Sequence, residues 1–102
     1  MIKTFNKLVR DKIPEICRAN NETPVTRALG DDEYLHELIC KLAEESEEFK
    51  EALNVEELAD IQEVVLALVD VIASRTELEA VRVQKAEKRG VFKDKIFLER
   101  VE

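Results

Sequence analysis

The sequence predicts an all-α protein: a bundle of three long helices plus a short N-terminal helix. Three observations carry this. The 102 residues include only two glycines and two prolines, too few turn formers for a β-sandwich or barrel. Leu35, Leu38, Ile39, Leu42, Phe49 and Leu53 recur at helical spacing. Capping-box spacings then punctuate the second half, Asn54 with Glu57 and Thr76 with Glu79. With 45% hydrophobic residues the chain is too apolar for a disordered tail. Its length suits a single domain spanning residues 1–102.

The elements follow in order. Residues 7–19 are expected to form the short helix, with Asp11 as its cap and Pro14 in its first turn, where proline is tolerated. Residues 20–32 carry Pro24 and Gly30 and read as a loop, in which VTRAL is a candidate extended stretch. Asp32 is the expected cap of a helix running from Glu33 to about Leu53. Asn54 starts the next helix, which runs to about Ser74. Thr76 starts the third, which ends near Arg89 with Gly90 as its stop. The tail VFKDKIFLERV alternates loosely and is a second candidate for extended structure.

The helix after Asn54 is unusual. Ten of residues 61–73 are apolar, and only Gln62, Glu63 and Asp70 interrupt them. A helix apolar all round must be covered all round, and two other long helices in so small a chain leave part of it open. The expectation is a homo-oligomer, dimer or tetramer, that completes a four-helix-bundle-like core. The competing expectation is a compact monomer that keeps one apolar stripe for an unrelated partner.

Charge narrows the function classes. A net charge of -7 argues against nucleic-acid binding, which usually needs a basic surface. The charge is also uneven. Residues 33–63 hold eleven acids against two lysines, whereas residues 82–100 hold seven bases against three acids. No apolar run approaches the roughly 18 residues of a membrane span, and MIKTFNKLVR lacks the apolar core of a secretion signal. A cytoplasmic protein without membrane partners is therefore expected. Cys17 and Cys40, with the single histidine His36, cannot make a Cys/His zinc site of four ligands. Two buried free thiols are the expectation. Tyr34 and His36 read as packing or surface residues.

The carboxylates form the most informative pattern. Leu38, Leu42, Glu45 and Phe49 stand at i, i+4, i+7 and i+11, so Glu45 lies on the core stripe of its helix. Glu48 is three residues further on and on the same side. In the next helix Glu57 shares a stripe with Ile61, Val64 and Leu68, and Asp60 is its i+3 neighbour. A short turn at Asn54 makes the two helices antiparallel and lets the acid pairs face each other. Carboxylates so crowded resist ionisation unless a cation neutralises them. Oxygen ligands suit magnesium or manganese, and such metals serve phosphoryl chemistry. An ordinary solvated acidic face remains the alternative for the same residues.

KLAEESEEF followed by EELADIQEVV resembles the E-E-x-x-E … E-x-x-D signature of the MazG-like all-α nucleoside triphosphate pyrophosphatases. NKLVRDKIPEI and KAEKRGVFKDKIFL resemble a branch of that superfamily related to phosphoribosyl-ATP pyrophosphohydrolase. The chain departs from the pattern in having no tryptophan and only eight residues between the acid pairs. The resemblance implies an all-α bundle of at least two chains. It also implies magnesium-dependent hydrolysis of the α–β phosphate bond of a nucleotide, giving a monophosphate and pyrophosphate; the oxygen ligands leave manganese as a substitute metal. Carried onto this chain, the metal ligands and catalytic acids are Glu45, Glu48, Glu57 and Asp60, with Glu44 matching the first acid of the signature. Substrate contacts are expected from Lys7, Arg10, Lys12, Glu63, Lys85, Arg89 and Lys93. The alternatives are a non-catalytic nucleotide sensor and a helical oligomerisation or interaction module.

Overall fold

A computed structural model describes residues 2–102. The chain is all-helical, and no strand occurs among the described residues. Four helices follow in order: α1 (Ile13–Ala19), α2 (Asp31–Ala52), α3 (Val55–Ile72) and α4 (Arg75–Arg89). VTRAL and the tail after Gly90 belong to no ladder.

The helix starts differ from the expected ones for local reasons. A helix beginning at residue 7 would put Pro14 in its interior, where the ring clashes with the carbonyl four residues back. α1 therefore begins at Ile13, with Lys12 rather than Asp11 at the cap and Pro14 in the first turn. α2 begins at Asp31 behind Gly30, so Asp32 lies inside the helix and caps nothing. Asp31, Asp32 and Glu33 instead place negative charge in the first turn, where the helix dipole favours it. Arg27 donates to both oxygens of Glu33, at 2.9 and 2.8 Å, and ties the preceding loop to this turn.

The connection between α2 and α3 is only Leu53 and Asn54. Leu53 takes the left-handed conformation (φ 51°) that closes a helix, and its N–H donates to the Phe49 carbonyl at 2.8 Å. Asn54 turns the chain back into a helix, its side chain accepting from the Glu57 N–H at 3.0 Å. The Asn54/Glu57 cap thus stands where the sequence puts it. The Thr76/Glu79 cap does not. α3 ends at Ile72, and Ser74 accepts from the Glu77 N–H at 3.1 Å. The segment contains two overlapping S/T-x-x-E spacings, and the earlier one is used. Gly90 closes α4 at φ 81°.

α2 and α3 form an antiparallel hairpin whose inner stripes are those read from the sequence. Leu38, Val64 and Val69 are buried, with Leu42, Phe49, Ile61 and Leu68 half-buried around them. Each fully buried aliphatic side chain contributes roughly 1.5–3 kcal/mol. The fourth buried residue is Glu45. α4 packs only against α3 among the helices and buries none of its residues. The thiols differ from expectation: Cys17 is half-buried and Cys40 is exposed, because Cys40 lies on the outer face of α2, two residues past Leu38.

The chain is much more open than its size requires. Its accessible surface is 9445 Å², against about 5,900 Å² for a folded monomer of this mass. Its radius of gyration is 18.0 Å, against about 13 Å for a compact domain of this length. The longest dimension is 60 Å. No described helix is long and apolar enough to cross a membrane.

Removal of the Asn54 cap tests the hairpin turn. Asn54→Ala is expected to destabilise the fold by about 1 kcal/mol, read as a lower urea midpoint with an unchanged slope.

Candidate metal centre

The hairpin brings the acids of both helices to one end. Glu45 projects from the core stripe of α2, and Glu57 and Asp60 from the first turns of α3. One ligand oxygen from each of these three lies within 4.8 Å of the others. A second group on the same criterion is Glu44, Glu45 and Glu48. The four acids of the sequence pattern are therefore two triads that share Glu45, and Glu44 joins them.

Glu45 is only 6% exposed. Its Oε1 lies 3.3 Å from the Lys41 ammonium. Its Oε2 is buried without a hydrogen-bond partner, as is Oε2 of Glu57. Leaving a buried acceptor unsatisfied costs about 1–3 kcal/mol, and more when it is charged. A leucine at position 45 would fill the same stripe without that penalty. The donor set is entirely carboxylate oxygen, and two of its atoms, Oε2 of Glu45 and Oε2 of Glu57, are unpartnered. These residues fit a hard divalent cation of the magnesium or manganese type.

Electrostatics agree with crowding. The Glu45 carboxylate beside it holds the Glu48 carboxyl above the usual carboxylate range, through close contact and like-charge repulsion, with smaller contributions from Glu44 and Glu57. Glu44 behaves oppositely. The Lys7 ammonium donates to it at 3.0 Å and holds it below that range, while Glu44 raises Lys7.

The N-terminal segment supplies the rim. Besides the Lys7–Glu44 pair, Arg10 donates to Asp60 Oδ1 at 2.6 Å. Both cations remain largely exposed. Lys41 was not singled out by the sequence pattern, yet it pairs with Glu44 at 3.6 Å and with Glu45 at 3.3 Å. Its i+3 and i+4 spacing to these acids is the signal that points to it.

None of the other expected cationic substrate contacts forms an ion pair with the acids of either triad among the described residues. Lys12 is exposed at the start of α1. Glu63 is exposed on α3, one turn beyond Asp60, and belongs to neither triad. Lys85 and Arg89 on α4 and Lys93 in the tail are exposed, and α4 does not reach α2. His36 is exposed and Tyr34 half-buried, with His36 Nε2 3.6 Å from the Cys40 sulfur on the outer side of α2.

Comparison with known proteins adds one relative. The chain is 54% identical over 46 residues to an uncharacterized protein of Mycolicibacterium smegmatis (strain ATCC 700084 / mc(2)155). The match covers 45% of this chain and 47% of that protein, so it spans about half the length of each. No protein-family profile and no solved structure matches the chain.

Loss of the Lys7 ammonium tests the rim. In Lys7→Met the Glu44 titration, followed by carboxyl NMR, is expected to move up towards the ordinary value of about 4.3. Because the Glu44 value is depressed in the folded state, the pair stabilises above the ordinary carboxylate pKa, and that contribution is lost as pH falls through the depressed one. For so exposed a pair the stability difference is expected to stay below about 1 kcal/mol at neutral pH and to vanish in acid.

Proposed function

We propose that the protein is a magnesium-dependent nucleotide pyrophosphohydrolase that acts as a homo-oligomer. The observation that carries this reading is Glu45, a buried carboxylate with an unpartnered oxygen, set among acids from two helices and rimmed by cations. The resemblance of KLAEESEEF … EELADIQEVV to the MazG-like pyrophosphatases supplies the reaction class. The two cysteines are unpaired, which accords with a reducing cytoplasm.

In this reading Glu45, Glu57 and Asp60, with Glu44 and Glu48, hold one or two magnesium ions, and manganese is an alternative. A metal held by these acids would neutralise phosphate charge and lower the pKa of an attacking water. Lys7 and Arg10 at the rim take the phosphate oxygens of the nucleotide. Water attacks the α phosphorus, the α–β anhydride bond breaks, and pyrophosphate leaves. A carboxylate of the cluster not engaged by the metal would orient that water and accept its proton. Lys85, Arg89 and Lys93 reach the phosphates only from another subunit.

The open apolar surface favours a second reading, a helical interaction module in which the acids are simply a solvated face. Pyrophosphate release separates the two. From a panel of ribo- and deoxynucleoside triphosphates plus phosphoribosyl-ATP, at least one substrate is expected to yield pyrophosphate with magnesium and none with chelator. Glu45→Gln is expected to lower that rate at least 100-fold, in the range reported for loss of a single electrostatic contributor, with an unchanged helical signal. A folded protein that releases no pyrophosphate from any nucleotide would overturn the enzymatic reading. Full activity in Glu45→Gln would overturn the site.

A further inference from the structure

The C-terminal part of the chain is thinly covered within its own subunit: α4 meets only α3 among the helices. Leu78, Val81 and Val83 on α4 are exposed, and so are Val91, Phe92, Ile96, Phe97, Leu98 and Val101 beyond it. Phe92 is 97% and Phe97 87% exposed. The hairpin has its own open apolar face, with Ile39, Val55, Leu58 and Ile72 exposed. One chain thus carries two uncovered apolar surfaces, which α4 does not bring together, since it makes no helix contact beyond α3.

We propose that α4 and residues 91–102 form an arm that docks on the α2–α3 hairpin of a second copy of this chain, the two arms being exchanged about a two-fold axis. Three arguments select a second copy. The first is area. The surface of 9445 Å² exceeds the compact-monomer value by roughly 3,500 Å², whereas a stable interface takes about 800 Å² from each partner. Phe92 and Phe97 alone offer roughly 150–250 Å² each. The second is charge. The arm, residues 75–102, holds eight bases and six acids, its excess of bases confined to 82–100 with seven against three, and the hairpin segment 33–63 holds eleven acids and two lysines. Opposite charge on the two surfaces fixes the register of docking. The third is closure. Each copy carries both surfaces, so a symmetric pair satisfies all four and leaves no edge for open growth.

Docked in this way, the arm lays Lys85, Arg89 and Lys93 along the acid-bearing hairpin of the other copy. Their failure to reach the acids of their own chain then follows from the exchange. The proposal rests on the homo-oligomer part of the function proposed above and is independent of its chemistry.

Light scattering and carbodiimide cross-linking test it, both on the full chain without nucleotide or magnesium. The mass in solution is expected to be an even multiple of the 11.7 kDa chain. Cross-linking of a mixture of ¹⁴N- and ¹⁵N-labelled protein is expected to join Lys93 or Lys95 to acids of α2 or α3 in light–heavy peptide pairs, which form only between copies. Phe92→Ser and Phe97→Ser are expected to weaken self-association roughly 30-fold or more each. A monomeric wild-type protein would overturn the proposal. So would an oligomer in which arm–hairpin links are absent or only light–light and heavy–heavy. If the serine variants unfold, the cross-links of the wild-type chain still decide. Neither readout depends on pyrophosphate release, so failure of the arm exchange and failure of the enzymatic reading are distinguished.

Discussion

The structure turns on a carboxylate placed where an aliphatic side chain would be expected. Glu45 occupies the stripe of Leu38, Leu42 and Phe49 and is as inaccessible as the apolar core. Burial of a charged group is unfavourable unless it is paired and hydrogen-bonded. Lys41 pairs with one oxygen and leaves the other without a partner. The two-residue turn at Leu53 and Asn54 holds Glu57 and Asp60 opposite, which adds charge of the same sign. A cation between the helices would relieve both the repulsion and the unsatisfied oxygens, and the proposed function rests on that.

Much of this was legible because it is local. The stripes of α2 and α3 follow from residue spacing, and the Asn54 cap from a three-residue pattern. Local patterns also explain the errors. Ser74 and Thr76 both begin S/T-x-x-E spacings, and only the end of α3 at Ile72 decides between them. Asp32 looks like a cap, but Gly30 precedes a helix that already includes Asp31. The start of α1 was readable from Pro14, which excludes a helix begun at residue 7. By contrast, the Lys7–Glu44 and Arg10–Asp60 pairs join residues 37 and 50 positions apart. No spacing rule encodes such a pairing, and the sequence points to Lys7 and Arg10 only as expected substrate contacts, not as partners of these acids.

A second feature of the chain is how little apolar surface it buries. Its buried apolar core among the described residues is Leu38, Val64 and Val69, a small driving force for 102 residues. Of the ten apolar residues in 61–73, seven are buried or half-buried and only Val71, Ile72 and Ala73 are exposed, so α3 is covered better than its sequence suggests. The same helix that carries Glu57 and Asp60 at its start presents uncovered apolar side chains at both ends.

The central claim is that Glu45 is retained for cation binding at a cost to stability. It is tested most directly by thermal melts of the wild-type protein and Glu45→Leu, each with magnesium and with chelator. The expected result is that Glu45→Leu melts higher than wild type in chelator, because an unsatisfied buried carboxylate has been replaced by an apolar side chain. Magnesium is expected to raise the wild-type melting temperature and to leave that of the variant unchanged. A Glu45→Leu protein that melts lower than wild type in chelator, with no magnesium response in either, would contradict the account and make Glu45 a structural partner of Lys41.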